Sequence, residues 1–308
     1  MIMLAQKARL FRLIGIVGAL TCLVLFLSHP SFPTPDKLFV ILFFLFMAFN
    51  QGWEFTKRLL PFVLIILIYE SFRSVADKLN SHVHYQFAPH FDKFLFGNLP
   101  TVDLQRWWWH GYVQWYDVAL YIPYLLFFIV PLGVAVLVWK TREHYYWQTV
   151  SAYSILFFSA FVTFLVLPTA PPWLASQNHQ IQPIVRISSN VWASLGIKNF
   201  PSLYSHLAPN PVAAFPSLHA GVATLSSLII FKLFGRRWGT LSLIYPILIY
   251  IGVIYEGEHY ATDVLAGILY GLVAYCVAPY LMSGFNKLFR QLRSKYSSST
   301  KTFLKLEQ

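Results

Sequence analysis

Eight apolar runs, separated by short polar or basic segments, organise this chain. They cover Leu10–Leu27, about Leu38–Trp53, Leu59 to about Arg73, Val118–Trp139, about Thr149–Leu167, Pro216–Phe234, Trp238–Tyr255 and Tyr260–Met282. Several reach the roughly 20 residues that a helix needs to cross a bilayer, without an interior charge. The pattern predicts an all-α integral membrane protein with about eight transmembrane helices. The third run reads as helix as far as Leu79, and Pro123 and Pro131 predict kinks in the fourth. The fifth stops at Pro168-Thr169-Ala170-Pro171-Pro172-Trp173, where a helix cannot easily continue. Two longer polar stretches remain. Asn80 to about Trp115 is rich in aromatics and histidine, and Trp107-Trp108-Trp109 suits the membrane interface. Pro168–Phe215 is the longest extramembrane segment, with a short surface helix expected near Ser188–Leu195.

Composition agrees with lipid as the solvent. The 308 residues are 57% hydrophobic and 11% charged, and a soluble domain carries about twice that charge. A soluble helical protein with a greasy core is therefore set aside. The net charge of +11 would suggest nucleic acid in a soluble protein. Here the basic residues lie in short loops and the tail, where they signal orientation and contact anionic lipid. With eight spans, both termini share a side, which carries 16 Lys and Arg against 7 on the other. The positive-inside rule makes the basic side cytoplasmic. Leu10–Leu27 is expected to be a retained anchor, because Ser28-His29-Pro30 offers no small-x-small cleavage site. Cys22 and Cys276 lie within apolar runs, so no disulfide framework is expected.

Two polar islands interrupt the last three runs. They are Phe215-Pro216-Ser217-Leu218-His219-Ala220-Gly221 and Glu258-His259-Tyr260-Ala261-Thr262-Asp263. The apolar runs between them turn at Lys232, Arg236 and Arg237. A helical hairpin there would return His219 and His259 to one face, the non-cytoplasmic one. His259 and Asp263 are spaced i, i+4 and would share a helix face. A carboxylate so placed can accept the Nδ1 proton and leave Nε2 as a nucleophile. His219 follows a helix start at which Pro216 breaks the incoming chain and Ser217 is the N-cap. The free N–H groups of that turn can hold phosphate oxygens. This set suits attack on phosphorus. His259 would take the phosphoryl or phosphoester group, while His219 protonates the leaving oxygen and then deprotonates the incoming water or alcohol.

The two islands resemble the second and third motifs of the type 2 phosphatidic acid phosphatase (PAP2) superfamily. Ala214–His219, the hairpin length, His259–Gly267 and Pro171-Pro172-Trp173 are most similar to the inositol phosphorylceramide synthase branch. The specific resemblance covers roughly Pro168–Gly271, and the six-helix PAP2-like core would extend back to the third run. It implies a catalytic triad of His219, His259 and Asp263, lipid-phosphate substrates and a phosphohistidine intermediate, with no cofactor and no metal. The chain would then divide into an N-terminal transmembrane hairpin (1–58), a catalytic membrane domain (59–283) and a basic cytoplasmic tail (284–308). Two cations of the phosphatase members are missing. No Lys or Arg stands near Pro168–Trp173, and Val253 occupies the place of an Arg. The departures favour a transferase that moves a phosphoalcohol headgroup, inositol phosphate-like, from a phospholipid to a lipid alcohol. A lipid phosphate phosphatase and a non-catalytic transporter are the alternatives. Ser217, Arg73 and Arg186 are the candidate phosphate-binding residues, with membrane snorkelling as the other role open to Arg73.

His259–Asp263 as a purely structural hydrogen bond, and zinc held with the help of His84 or His90, both rank behind catalysis. Glu256 and Glu258 read as solvated boundary charges flanking His259. His82, His84, His90, His110, His179 and His206 read as ordinary loop histidines. Lipid substrates and membrane lipids are the expected partners, and nucleic acid is not.

Overall fold

A computed structural model describes residues 2–28, 33–196 and 210–306, without the side chains of residues 2–5, 7, 286 and 288–306. His29-Pro30, Lys198, His206 and the tail side chains of Arg290, Arg293, Lys295, Lys301 and Lys305 lie outside the described residues. Those residues form thirteen α-helices. These are α1 (Ile2–Ser28), α2 (Pro35–Ala48), α3 (Gly52–Leu79), α4 (Phe87–Phe96), α5 (Pro100–Trp108), α6 (Trp115–Leu125), α7 (Ile129–Thr141), α8 (Tyr146–Val166), α9 (Pro172–Gln177), α10 (Ile187–Ser194), α11 (Leu218–Ser242), α12 (Ile244–Tyr255) and α13 (Ala261–Leu306). There is no strand among the described residues, only isolated bridges at Thr169 with His84 and Ala213. Helices suit a bilayer because each satisfies its own backbone polar groups.

Every apolar run is helical, but not all are long enough to span alone. Five helices pass on length and hydropathy: Ala8–Ser28, α3, Glu143–Val166, α11 and Ala261–Phe285. The fourth run breaks between α6 and α7, which bend by 53° and together make a sixth candidate. Pro123 sits in the last turn of α6, beside that break. Among the described residues, length and hydropathy thus single out five or six candidate spans, where the pattern of apolar runs predicts about eight. At 1.5 Å per residue the 14 residues of α2 extend only about 21 Å, short of a core about 30 Å thick. The 12-residue α12 is shorter still. It is fed by Arg236–Ser242, which doubles back on α11 after Gly235 (φ 82°). Ser297–Thr300, read from sequence as a loose patch, continues the helix of α13.

The core is aromatic. Phe55, Leu59, Phe62, Ile66 and Tyr69 of α3 meet Tyr153 and Phe157 of α8, and Leu218, Val222 and Leu225 of α11 complete the cluster. Large apolar side chains of α1 face outward, as lipid permits. Close approach of α11 and α13 depends on Gly221, Gly267 and Gly271. A Cβ on Gly267 would lie 2.1 Å from the Ser217 carbonyl oxygen, and one on Gly271 2.7 Å from that of Gly221. Near the site three extended segments converge. Thr169 N–H donates to Val212 O (2.8 Å), Ala214 N–H to Thr169 O (3.3 Å), and His84 N–H to Pro168 O (2.8 Å). This junction delivers Pro171-Pro172-Trp173 and Ala214-Phe215 to the same end of the bundle.

Candidate active site

Ser217 begins α11 after a cis Phe215–Pro216 bond. Its buried hydroxyl accepts from Ala220 N–H at 3.4 Å, the expected N-cap role. Its own N–H donates to the backbone oxygen of Asp263 at 2.9 Å. One backbone bond thus joins the two polar islands directly. The His219 and His259 ring centroids stand 5.7 Å apart. Tyr124 of α6 stacks on His219 at 4.2 Å with 17° between planes, and Phe127 from the α6–α7 break lies at 4.6 Å. The bend in the fourth run therefore has a consequence at the site, since it supplies the aromatic wall behind His219.

His259 does not sit on a helix. It precedes α13, in the turn that closes α12, where the Glu258 and His259 N–H groups both donate to Val253 O (3.1 and 3.0 Å). The i, i+4 pairing survives for a different reason from the one the spacing suggests. Asp263 is the third residue of α13, and its Oδ2 reaches back to accept from Tyr260 N–H at 2.9 Å. That is the carboxylate half of a capping box. The same Oδ2 faces His259 Nδ1 at 3.5 Å, longer than an ordinary hydrogen bond, with His259 and Asp263 both buried.

Glu256 and Glu258 are not solvated boundary charges. They are 0% and 8% exposed. Loop 178–187 and α10 cover them, with Ile187 N–H donating to Glu256 O at 3.1 Å. Glu258 grips Arg186 through Nε (2.7 Å) and a terminal nitrogen (3.2 Å), and it also accepts from Ser188 Oγ. The Arg186 guanidinium lies over the Trp173 ring, 4.1 Å from its centroid. Trp173 is anchored in turn by its N–H on Gly257 O (3.1 Å). Pro171-Pro172-Trp173 thus seats a cation beside the turn that carries His259. Neither oxygen of Glu256 has a hydrogen-bond partner among the described residues. Burial, and then the negative charges of Glu258 and Asp117, hold its carboxyl well above the usual carboxylate range.

Arg73 sits on α3, its Nε 2.8 Å from Oε2 of Glu70, which is buried. The Arg73 backbone oxygen accepts from Asn210 Nδ2 at 2.8 Å, just ahead of the junction that leads to Ser217, and Arg186 is held on Glu258, the neighbour of His259. All six residues singled out from sequence therefore gather at one end of the bundle. The pattern along the chain missed the groups that surround them: Glu70, Tyr124, Phe127, and Asp92 of α4, whose carboxylate accepts from Ala261 N–H (3.0 Å) and Thr262 N–H (2.7 Å). Only Glu70 had a local signal, its i, i+3 spacing to Arg73. Among the described residues no group of three His, Cys, Asp or Glu side chains is arranged to hold a metal ion. His84 belongs to the extended junction, and His90, read as a loop residue, lies on α4.

A family model described as the PAP2 superfamily matches residues 96–277. The phosphoinositol dihydroceramide synthase of Bacteroides thetaiotaomicron is 28% identical over 82% of this chain and 86% of its own length. The inositol phosphorylceramide synthase catalytic subunit of Saccharomyces cerevisiae is 23% identical over 84% of this chain and 65% of its own. Its counterpart in Schizosaccharomyces pombe is 25% identical over 71% and 53%. No solved structure matches the chain. The matched segment runs from the end of α4 into α13, takes in both histidine islands and spans more than half of the sequence, so the chain belongs to the PAP2 superfamily.

Proposed function

We propose that this PAP2-type lipid phosphotransferase moves a phosphoalcohol headgroup, inositol phosphate-like, from a phospholipid to a lipid alcohol of the ceramide type. The observation that carries this is the convergence of His219, His259 and Asp263, in a chain whose named relatives are synthases. His259 Nε2 attacks the donor phosphorus, forming an N–P bond. The P–O bond to the diacylglycerol breaks, and His219 supplies the proton that the leaving oxygen takes up. Asp263 favours the imidazolium-like form of the phosphohistidine. The acceptor hydroxyl then gives its proton to His219, its oxygen attacks phosphorus, and the N–P bond breaks. The 3.5 Å contact of the resting site shortens as charge develops on His259.

The surroundings favour a phosphodiester over a phosphomonoester dianion. Arg73 and Arg186 are each balanced by a buried carboxylate, Glu70 and Glu258, so neither pair adds net positive charge. Val253 is fully buried among Ala220, Ala223, Ile249 and Val264, where a guanidinium would displace apolar packing. Arg73, Arg186 and Ser217 contact the phosphate group, with the first-turn amides of α11 beside them. The excess of Lys and Arg in the loops on the other side supports a site on the non-cytoplasmic face, with both termini cytoplasmic.

The test uses purified protein in lipid nanodiscs, a headgroup-labelled phosphoinositol lipid and ceramide. Headgroup transfer to ceramide is expected, with wild-type turnover reduced at least 10³-fold by His219→Ala and by His259→Ala. Release of the label to water with no transfer would replace this reading with a phosphatase. Full activity in both variants would refute the mechanism.

A further inference from the structure

We propose that Asp92 is a positioning residue for the transfer reaction: reaching from α4, its carboxylate fixes the first turn of α13 and with it the His259–Asp263 pair. The proposal rests on the transferase reading above. From sequence, Asp92 is one acidic residue in a polar, aromatic-rich stretch with no motif around it. In the fold it is 0% exposed. A buried carboxylate needs hydrogen bonds, and where they go reveals what it holds.

All three of its hydrogen bonds go to the catalytic helix. Oδ2 accepts from Ala261 N–H at 3.0 Å. Oδ1 accepts from Thr262 N–H at 2.7 Å and from Thr262 Oγ1 at 2.6 Å. Tyr260 N–H is already taken by Asp263 Oδ2 at 2.9 Å. Three consecutive amides between His259 and Asp263 are therefore held by carboxylates, one local and one from a separate helix. A local cap would stabilise the helix end equally well. A cap from α4 does something more, because it locates that end in space relative to another element.

That element also touches the other island. The ring of Phe87 meets that of Phe215, just ahead of Ser217, edge-on at 5.1 Å. Ala88 of α4 and Leu99 pack in one cluster with Tyr260. α4 therefore braces both polar islands, with Asp92 as its polar contact to the second. Loosening Asp92 frees the backbone on which the His259 Nδ1–Asp263 Oδ2 separation depends, while removing none of the proposed substrate-contacting side chains.

The experiment compares Asp92→Asn, nearly isosteric, with Thr262→Val, which removes only the hydroxyl bond. Turnover is normalised to folded protein by thermal melting in the same nanodiscs. Asp92→Asn is expected to lower kcat 10- to 100-fold, with KM for both lipids within threefold of wild type. Thr262→Val is expected to lower kcat two- to tenfold. Wild-type kcat per folded molecule in both variants, or a loss confined to KM, overturns the assignment. If Asp92→Asn does not fold, Thr262→Val decides by the same criterion. His259→Ala runs in parallel. A wild-type protein that transfers no headgroup sinks the functional reading. An active wild type and inactive His259→Ala, with both test variants unimpaired, sinks Asp92 alone.

Discussion

Gly267→Ala tests whether the spacing of α11 and α13 sets catalysis. The new methyl would stand 2.1 Å from the Ser217 carbonyl oxygen, 3.0 Å from Ala220 Cβ and 3.1 Å from the Ser217 carbonyl carbon. A carbon–oxygen contact settles near 3.3 Å, so the two backbones must part by about 1 Å. The crowded atom belongs to the backbone and cannot swing away. Ser217 O accepts from Gly221 N–H at 3.0 Å, and Ser217 N–H donates to Asp263 O at 2.9 Å. Moving Ser217 therefore strains the cap of α11 and the one backbone bond between the islands. Overpacking of this kind costs about 1–3 kcal/mol of stability. The effect on chemistry is expected to be larger than folding alone explains, because a misplacement of about 1 Å can cost 10²-fold in rate, or about 2.7 kcal/mol of barrier. Headgroup transfer per folded protein, with melting curves alongside, is the assay. Gly284→Ala on the same helix is the control, since its Cβ would meet nothing within 4 Å. Turnover within twofold of wild type for folded Gly267→Ala would refute the idea that this contact sets the histidine geometry.

Two further predictions concern groups around the site. Glu256 has a carboxyl raised by burial, so its contribution to stability is fully present below its unfolded pKa, about 4.3, and is lost as pH rises through the higher folded value. Glu256→Gln should flatten the fall of melting temperature as pH rises above the unfolded value; parallel curves for the two proteins would show that Glu256 makes no such contribution. Tyr124→Ala removes the ring stacked on His219, an interaction worth about 0.5–1.5 kcal/mol, and should lower kcat roughly two- to tenfold, while Tyr124→Phe stays within twofold. An equal loss in both variants would assign the effect to the hydroxyl instead of the stacked ring.

Much of the helical architecture was legible in the chain because lipid leaves few choices. A run of apolar residues that must satisfy its own backbone forms a helix wherever it sits. The two islands were legible for a related reason: His219, His259 and Asp263 are costly in apolar surroundings and stand out against them. Span number was less legible. Hydropathy alone cannot show that the fourth run bends by 53° or that α2 stops after 14 residues. Burial of Glu256 and Glu258 is not legible along the chain, because their cover comes from a loop some 70 residues earlier.

By itself, then, the sequence determined which segments are helical, where the polar chemistry interrupts them and which residue types carry it, since each of these is a local property. The tertiary structure decided what holds that chemistry in place. It set Tyr124 against His219, Glu258 on Arg186 and Asp92 on the first turn of α13, and it brought Ser217 N–H to Asp263 O. Such partners lie tens to well over a hundred residues apart, and no periodicity along the chain records them, because only close packing of distant helices brings these groups into contact.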